Sequence, residues 1–246
     1  MKLHNFCCID VETGGLDKKQ NFHALNHPIT SIAMIGLDGL TLNEITRYES
    51  FIRGRKALTF KGDATVVSGY LGYDELRNLV YQKQALTATN ITIEKLEQEG
   101  RDSKIVVNEI IALFEKCASG SNFHKLILVG SNAVYDIPFL QMLFKIHKKD
   151  LSKWLQGYYD HTSAFHPVYI DVMFLSRAKS IDENLKHNLS AISEREGISL
   201  TDAHSAINDT IATSEIFKKY IFMLRNSGNV EKQKETAYRN NFKFEY

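Results

Sequence analysis

The chain has 246 residues, 43% of them apolar, and sets 30 Lys and Arg against 29 Asp and Glu for a net charge of +1. That apolar content closes one sizeable core without disulfides or a structural metal. A charge near zero excludes attraction of the whole surface to nucleic acid or an anionic membrane, so phosphate binding must be local, through a metal or a focused patch.

Residues 3–11 read as a first strand with apolar side chains on both faces, which predicts a central place in its sheet. Gly14-Gly15 breaks it and leaves room for a substrate near the backbone. Residues 29–37 form a second strand, closed by Asp38-Gly39, and residues 44–52 a third. The turn signal predicts that these two pair antiparallel. Between residues 53 and 81 the pattern dissolves around Gly54, Gly62, Gly69 and Gly72, as in an irregular or inserted segment. Helical patterning returns at 92–96 and 103–117. Residues 126–130 are a buried strand, 137–147 a helix, and Tyr169-Ile170 a short strand entering a helix at Asp171. Residues 184–197 are helical, and 206–224 form a long helix with Ala212, Ile216, Phe217, Tyr220, Ile221 and Leu224 at three- and four-residue steps. The expected layout is one domain, 1–225, with a polar, aromatic extension over 226–246. Antiparallel strands followed by strands alternating with helices predict a mixed α/β sandwich.

Cys7 and Cys8 are adjacent, so a bridge between them would be strained, and Cys117 stands alone. The N-terminal residues lack the apolar stretch of a signal peptide. No apolar run approaches the roughly 18–20 residues that span a bilayer. The expectation is a soluble protein of a reducing compartment, the cytoplasm, with no membrane partner.

Three features carry chemistry. In Ile9-Asp10-Val11-Glu12-Thr13-Gly14, side chains two apart on a strand share a face, so Asp10 and Glu12 project together. Two such carboxylates lose hydration and repel each other unless a cation lies between them. Oxygen-only ligands on a rigid strand suit Mg²⁺ or Mn²⁺. The second feature, 130–136, lies where a strand hands over to a helix, and Asp136 has a plain role as that helix's N-cap. The third runs from His204 to Asp209. Five residues of helix separate side chains by about 140°, so His204 belongs on the entry turn, over a floor made by Asp209. Taken singly, each has a bland reading: acids at a turn, a cap, polar residues on a helix.

In order and spacing, Asp10/Glu12, Asn132/Asp136 and His204/Asp209 resemble the DnaQ-like (DEDDh) 3′–5′ exonuclease family of the RNase H-like superfamily. The likeness runs from about residue 3 to 224, with smaller echoes at 86–92 and 171–175. Ser131 stands where many members have histidine and Asn90 where many have glycine. The resemblance implies an RNase H-like mixed sheet, its first three strands antiparallel and the later ones parallel, flanked by helices. It implies removal of 5′-mononucleotides from the 3′ ends of single-stranded DNA or RNA with two Mg²⁺ or Mn²⁺ ions. Asp10, Glu12, Asp136 and Asp209 would hold the metals, and His204 would take a proton from the attacking water, a task suited to imidazole. Thr13 and Gly14 would meet the terminal nucleotide through their backbone, Leu16 would wedge between bases, and Asn132 would line the substrate path. Proofreading would require a polymerase or replication partner on another chain. The alternative from another class is a non-catalytic nucleic-acid-binding or polymerase-accessory module with this fold.

Other residues divide between roles. His23 and His27 suit a metal pair only on a helix, and Pro28 favours a turn there. Asp171 reads as an N-cap. Phe165, His166 and Tyr169 suit a substrate channel or core packing equally. The basic run from Arg53 to Lys61 suits a nucleic-acid backbone, with a solvated loop favoured. The tail 232–246 suits stacking on bases or docking on its own domain.

Overall fold

A computed structural model describes residues 4–17, 23–118, 125–180, 184–201 and 204–241, with 227–241 as helical backbone. The first part of the chain builds β1 (Phe6–Thr13), a four-residue helical turn α1 (His23–Asn26), β2 (Ile29–Leu37) and β3 (Glu44–Phe51), the strands antiparallel in turn. Every residue of β2 is buried, since helices cover both its faces. β3 is an edge strand, and Glu44 pairs with Arg47 at 2.6 Å on its outer surface, where charge discourages strand addition. The β2–β3 connection is longer than a two-residue Asp-Gly hairpin. The Asp38 carboxylate accepts from the backbone of Leu40 and Thr41, and Leu42 turns back with a φ of 61°.

The stretch from 53 to 81 is irregular, yet it is docked. β4 (Arg55–Lys56) pairs antiparallel with β5 (Tyr70–Leu71), and Leu79 and Tyr81 are fully buried. Tyr70, Tyr81, Leu86, Ile91 and Leu96 make a small core of their own. α2 (Lys83–Ala88) escaped the periodicity because Leu86 alone marks its inner face. α3 (Ile93–Glu99) starts where the Thr92 hydroxyl accepts from the Lys95 N–H, and α4 (Ser103–Cys117) where Asp102 caps Lys104. α4 lies so near β2 that a Cβ on Gly36 would fall 2.1 Å from the Cys117 sulfur.

The later part runs β6 (Ile127–Gly130), α5 (Asp136–Ile146), a 3₁₀ turn at Leu151–Lys153, β7 (Gly157–Tyr159), β8 (Phe165–Pro167) and β9 (Tyr169–Asp171). α6 (Val172–Lys179), α7 (Leu189–Glu196) and α8 (Ala206–Asn241) follow. The β7–β8 hairpin is too short to leave a sequence period. α7 begins five residues later than expected, at the Asn188 cap, and ends at Gly197 with a φ of 69°. The main sheet has the order β3-β2-β1-β6-β9, with β1 central, antiparallel to β2 and parallel to β6. This is the mixed sheet flanked by helices that the sequence implies.

Alternate residues of β1 face two cores. Cys7, Ile9 and Val11 pack with Phe114, Leu140 and Phe144, and Phe6 and Cys8 pack with Ile216, Phe217 and Tyr220 of α8. Each fully buried Ile, Leu or Phe contributes about 1.5–3 kcal/mol. No helix among the described residues is long and apolar enough to cross a membrane.

Candidate active site

Parallel pairing between β1 and β6 ends at Cys8 and Val129, so β1 runs on past its neighbour with one backbone edge open. The β6–α5 connection fills that gap. Asp136 Oδ1 accepts a hydrogen bond from the Val11 N–H at 3.3 Å. Asp136 is therefore the first residue of α5 and not its cap, a place taken by Tyr135. Its carboxylate is turned to the end of β1.

Asp10 and Glu12 lie on the α8 face of β1, opposite Ala33 and Ser31 of β2. α8 is fixed over that face by Thr210, whose hydroxyl donates to Ala206 O at 2.7 Å and approaches Ala33 O at 3.4 Å. Asp209, one residue earlier, is thereby held above Asp10 and Glu12. His204 precedes the helix in the left-handed region, φ 71°, with its side chain exposed. Ligand atoms of Glu12, His204 and Asp209 all lie within 4.8 Å of one another.

The four carboxylates make no ion pair with Lys or Arg among the described residues. Burial, with Asp136, Glu12 and Asp209 close by, pushes the Asp10 carboxyl well above its ordinary range. Burial together with Asp209 and Asp136 raises Glu12 to about 8. Burial raises Asp136 to about 7, opposed by the Val11 N–H and assisted by the Asp171 carboxylate. Burial also raises Asp209, although the His204 backbone N–H and imidazole hold it down. One Asp209 oxygen, Oδ1, is buried with no hydrogen-bond partner. Hard oxygen donors, an orphaned carboxylate oxygen and unneutralised charge fit a divalent cation of the Mg²⁺ or Mn²⁺ type.

The flanking residues divide. Thr13 Oγ1 donates to Gly15 O at 3.2 Å, and Leu16 is half exposed, its N–H held by Gln82 Oε1. Gly14 is buried, with its N–H on Pro28 O and its C=O accepting from Gln82 N. Cβ atoms at Gly14 and Gly15 would strike Pro28, Tyr81 and His27 within 3 Å, so these glycines admit the turn at His27-Pro28 and the stretch around Tyr81, not a substrate. Asn132 is exposed at φ 67°, its N–H donating to Asp171 Oδ1. Asp171 caps Met173 of α6 as expected.

Both ring nitrogens of His27 are engaged, by Val80 O and Asp17 Oδ1, which rules out a metal pair with His23. His166 is held by Asp160 and stacks on Tyr158. Arg55 and Lys56 of the basic run bind Asn78 and Glu97. The tail's side chains lie outside the described residues. Sequence reasoning missed a cavity of about 120 Å³ beside Glu12 and His204, to which Glu49, Asn90 and Lys95 contribute. Its one signal is Asn90, at φ 53°, a left-handed position that explains the glycine expected there.

No family model matches the chain. A 178-residue stretch, 70% of the chain, is 24% identical to the PolC-type DNA polymerase III of Thermotoga maritima and spans 12% of that protein. Among solved structures, E. coli exonuclease I with a dT13 oligonucleotide superposes with a TM-score of 0.61 at 18% identity, over 93% of this chain and 43% of that one. A zinc-bound complex of the same exonuclease with single-stranded DNA gives 0.60 at 19% identity, over 88% and 40%. Its complex with the SSB C-terminus gives 0.59 at 18%, over 96% and 46%. The chain thus spans less than half of these proteins, and the likeness establishes a shared fold.

Proposed function

We propose that this chain is a 3′–5′ exonuclease that removes 5′-mononucleotides from single-stranded nucleic acid with two divalent cations, Mg²⁺ or Mn²⁺. The observation that carries the reading is the gathering of Asp10, Glu12, Asp136 and Asp209 in one buried cluster with His204 at its rim. Bound there, the cations would ease deprotonation of the attacking water and offset charge on the departing 3′ oxygen. Asp10, Glu12 and Asp209 would hold one ion. Asp10 and Asp136 would hold the second.

His204 accepts the water's proton at an imidazole nitrogen. Its exposed position lets that proton pass on to solvent. Leu16 meets the terminal bases, and Thr13 and Asn132 shape the path to the cluster, while the Gly14 backbone, engaged by Pro28 and Gln82, holds the turn behind it. The exonuclease and polymerase likenesses support DNA as the substrate ahead of RNA, and a replication protein as partner. Three free, buried thiols suit a reducing cytoplasm.

The test is a time course on 5′-labelled DNA and RNA oligomers with Mg²⁺, Mn²⁺ or excess EDTA. A ladder shortening from the 3′ end, 5′-mononucleotide products and silence in EDTA are expected. Full activity in EDTA overturns the reading. Metal-independent oligonucleotide binding without cleavage would favour an accessory module.

A further inference from the structure

The irregular stretch from 53 to 81 hands over to α2 at Gln82, and no step proposed above uses that residue. Its backbone faces two ways. An isolated antiparallel bridge joins it to Val66, within the stretch, while its N–H donates to Gly14 O at 2.6 Å, just past β1. The stretch is thereby tied to the turn that leaves the carboxylate cluster.

The Gln82 side chain adds a second tie. It stands at the N-cap of α2, where a side-chain oxygen ordinarily accepts from the first helical turn. It makes no such cap. Its Oε1 accepts instead from the Leu16 N–H at 3.1 Å. One residue thus grips the chain on both sides of Gly15. A Cβ on Gly15 would fall 2.9 Å from Gln82 Cδ and 2.5 Å from His27 Nδ1, so the glycine makes room for the grip. Beyond Leu16, the Asp17 carboxylate is held by His27 Nε2 at 3.1 Å and by the Asn26 amide at 2.7 Å.

Leu16 itself is 53% exposed and, among the described residues, joins none of the apolar clusters. Its direction is therefore left to its backbone. A side chain that acts by contact needs such fixing, because a misplacement of about 1 Å can cost about 10²-fold in rate. We propose that Gln82 is a positioning residue: its Oε1 fixes the Leu16 turn, so the end of the irregular stretch governs how the terminal base is parted from its neighbour. The inference rests on the exonuclease reading for the role of Leu16. It makes Gln82 matter most where bases stack most strongly, in adenine runs ahead of thymine runs.

The experiment compares Gln82→Met, which keeps the side-chain length and the backbone bond to Gly14 but lacks the acceptor, with Gln82→Glu, which retains an acceptor. Circular dichroism checks the fold; should Gln82→Met not fold, Gln82→Asn, whose oxygen falls short of Leu16, replaces it. Exchange of the Leu16 amide, followed by NMR without metal, should quicken about fivefold in Gln82→Met, the loss of one hydrogen bond. It should stay near the parent rate in Gln82→Glu. Single-turnover cleavage with Mg²⁺ should slow about tenfold more on a 5′-labelled oligoadenylate than on an oligothymidylate, since unstacking must be driven. Gln82→Glu should restore the ratio. Unchanged Leu16 exchange in Gln82→Met overturns the proposal. So does equal slowing of both oligomers, the mark of a merely structural contact, or no slowing of either. Failure of the exonuclease reading looks different: Leu16 exchange responds as expected while the parent chain cleaves neither oligomer.

Discussion

Two buried acidic sites in this molecule titrate in opposite directions. Glu196, at the end of α7, has a side chain only 3% exposed, yet Lys179 at 2.5 Å, Lys219 at 2.9 Å and the Tyr220 hydroxyl at 3.0 Å surround it. Burial pushes its carboxyl up, but those three hydrogen bonds outweigh it and bring the group down to about 2. At the end of β1, burial and neighbouring carboxylates act on Asp10, Glu12 and Asp136, opposed at Asp136 by the Val11 N–H, and Glu12 rises to about 8. Burial of an acid is therefore no mark of function. What distinguishes the β1 site is the lack of a cationic side chain: α6 and α8 supply lysines to Glu196, while the described residues pair none with the carboxylate cluster.

The largest effects should separate the two sites by activity. Asp209→Ala removes the floor of the cluster and is expected to reduce 3′-end cleavage below the level left by His204→Ala. Loss of a general base alone should lower turnover by about 10²–10⁴-fold. Glu196→Gln should leave turnover close to wild type. Single-turnover rates at saturating metal check all three, and an Asp209→Ala protein of wild-type rate would dissolve the contrast.

Stability without metal should then change in opposite senses. Glu196→Gln leaves two lysines without their counter-charge, and since both are partly exposed the loss should be about 1–2 kcal/mol. Above pH 8, where Glu12 is ionised, Glu12→Gln removes an unpaired, half-buried charge and should raise the melting temperature in EDTA, while weakening the stabilisation by Mg²⁺. Calorimetry of the two variants, with and without metal, reads both signs. A fall in both would mean that the cluster is neutralised by something other than an added ion.

Much of this was legible in the sequence, and the reason is geometric. Strand period fixed Asp10 and Glu12 to one face, and strand order put β1 at the centre, so the acidic end of β1 had to lie deep. The helical stripe of α8 located Asp209. Less accessible was what depends on distant chain. Asp136 reads locally as a cap, but the unpaired Val11 N–H claims it, a donor left open only because β6 stops short. Gly14 and Gly15 read as room for substrate, while the room is taken by Pro28, Tyr81 and His27. Contacts 12 to 67 residues away leave no local period to read.

The pH dependence sharpens the comparison further. Folded Asp136 and Glu12 titrate at about 7 and about 8, above their ordinary 3.8 and 4.5, so between those limits the folded chain keeps protons that the unfolded chain has released. Their contribution to stability is full below pH 4 and is lost as pH rises through 7 and 8. Glu196 behaves inversely: depressed to about 2, it contributes above pH 4.5 and loses that contribution as pH falls toward 2. Melting temperatures in EDTA should drop from pH 6 to 9, and saturating Mg²⁺ should reduce the drop. A flat profile in EDTA would contradict the picture of unneutralised carboxylates.

The smallest effect concerns Asp171, which caps α6 at Met173, holds the Asn132 N–H and adds negative charge behind Asp136. Asp171→Asn keeps an oxygen for both hydrogen bonds, so the cap should cost no more than a few tenths of a kcal/mol, against about 1 kcal/mol for Asp171→Ala. Removing the charge lowers the proton affinity of Asp136, and the upper pH midpoint of the metal-free stability curve should move to lower pH. Asp136 carboxyl chemical shifts followed by NMR titration would register the change directly. Were the midpoint to stay in place while Asp171→Ala loses the helix cap, Asp171 would act on the cluster only through the backbone it positions, and not through its charge.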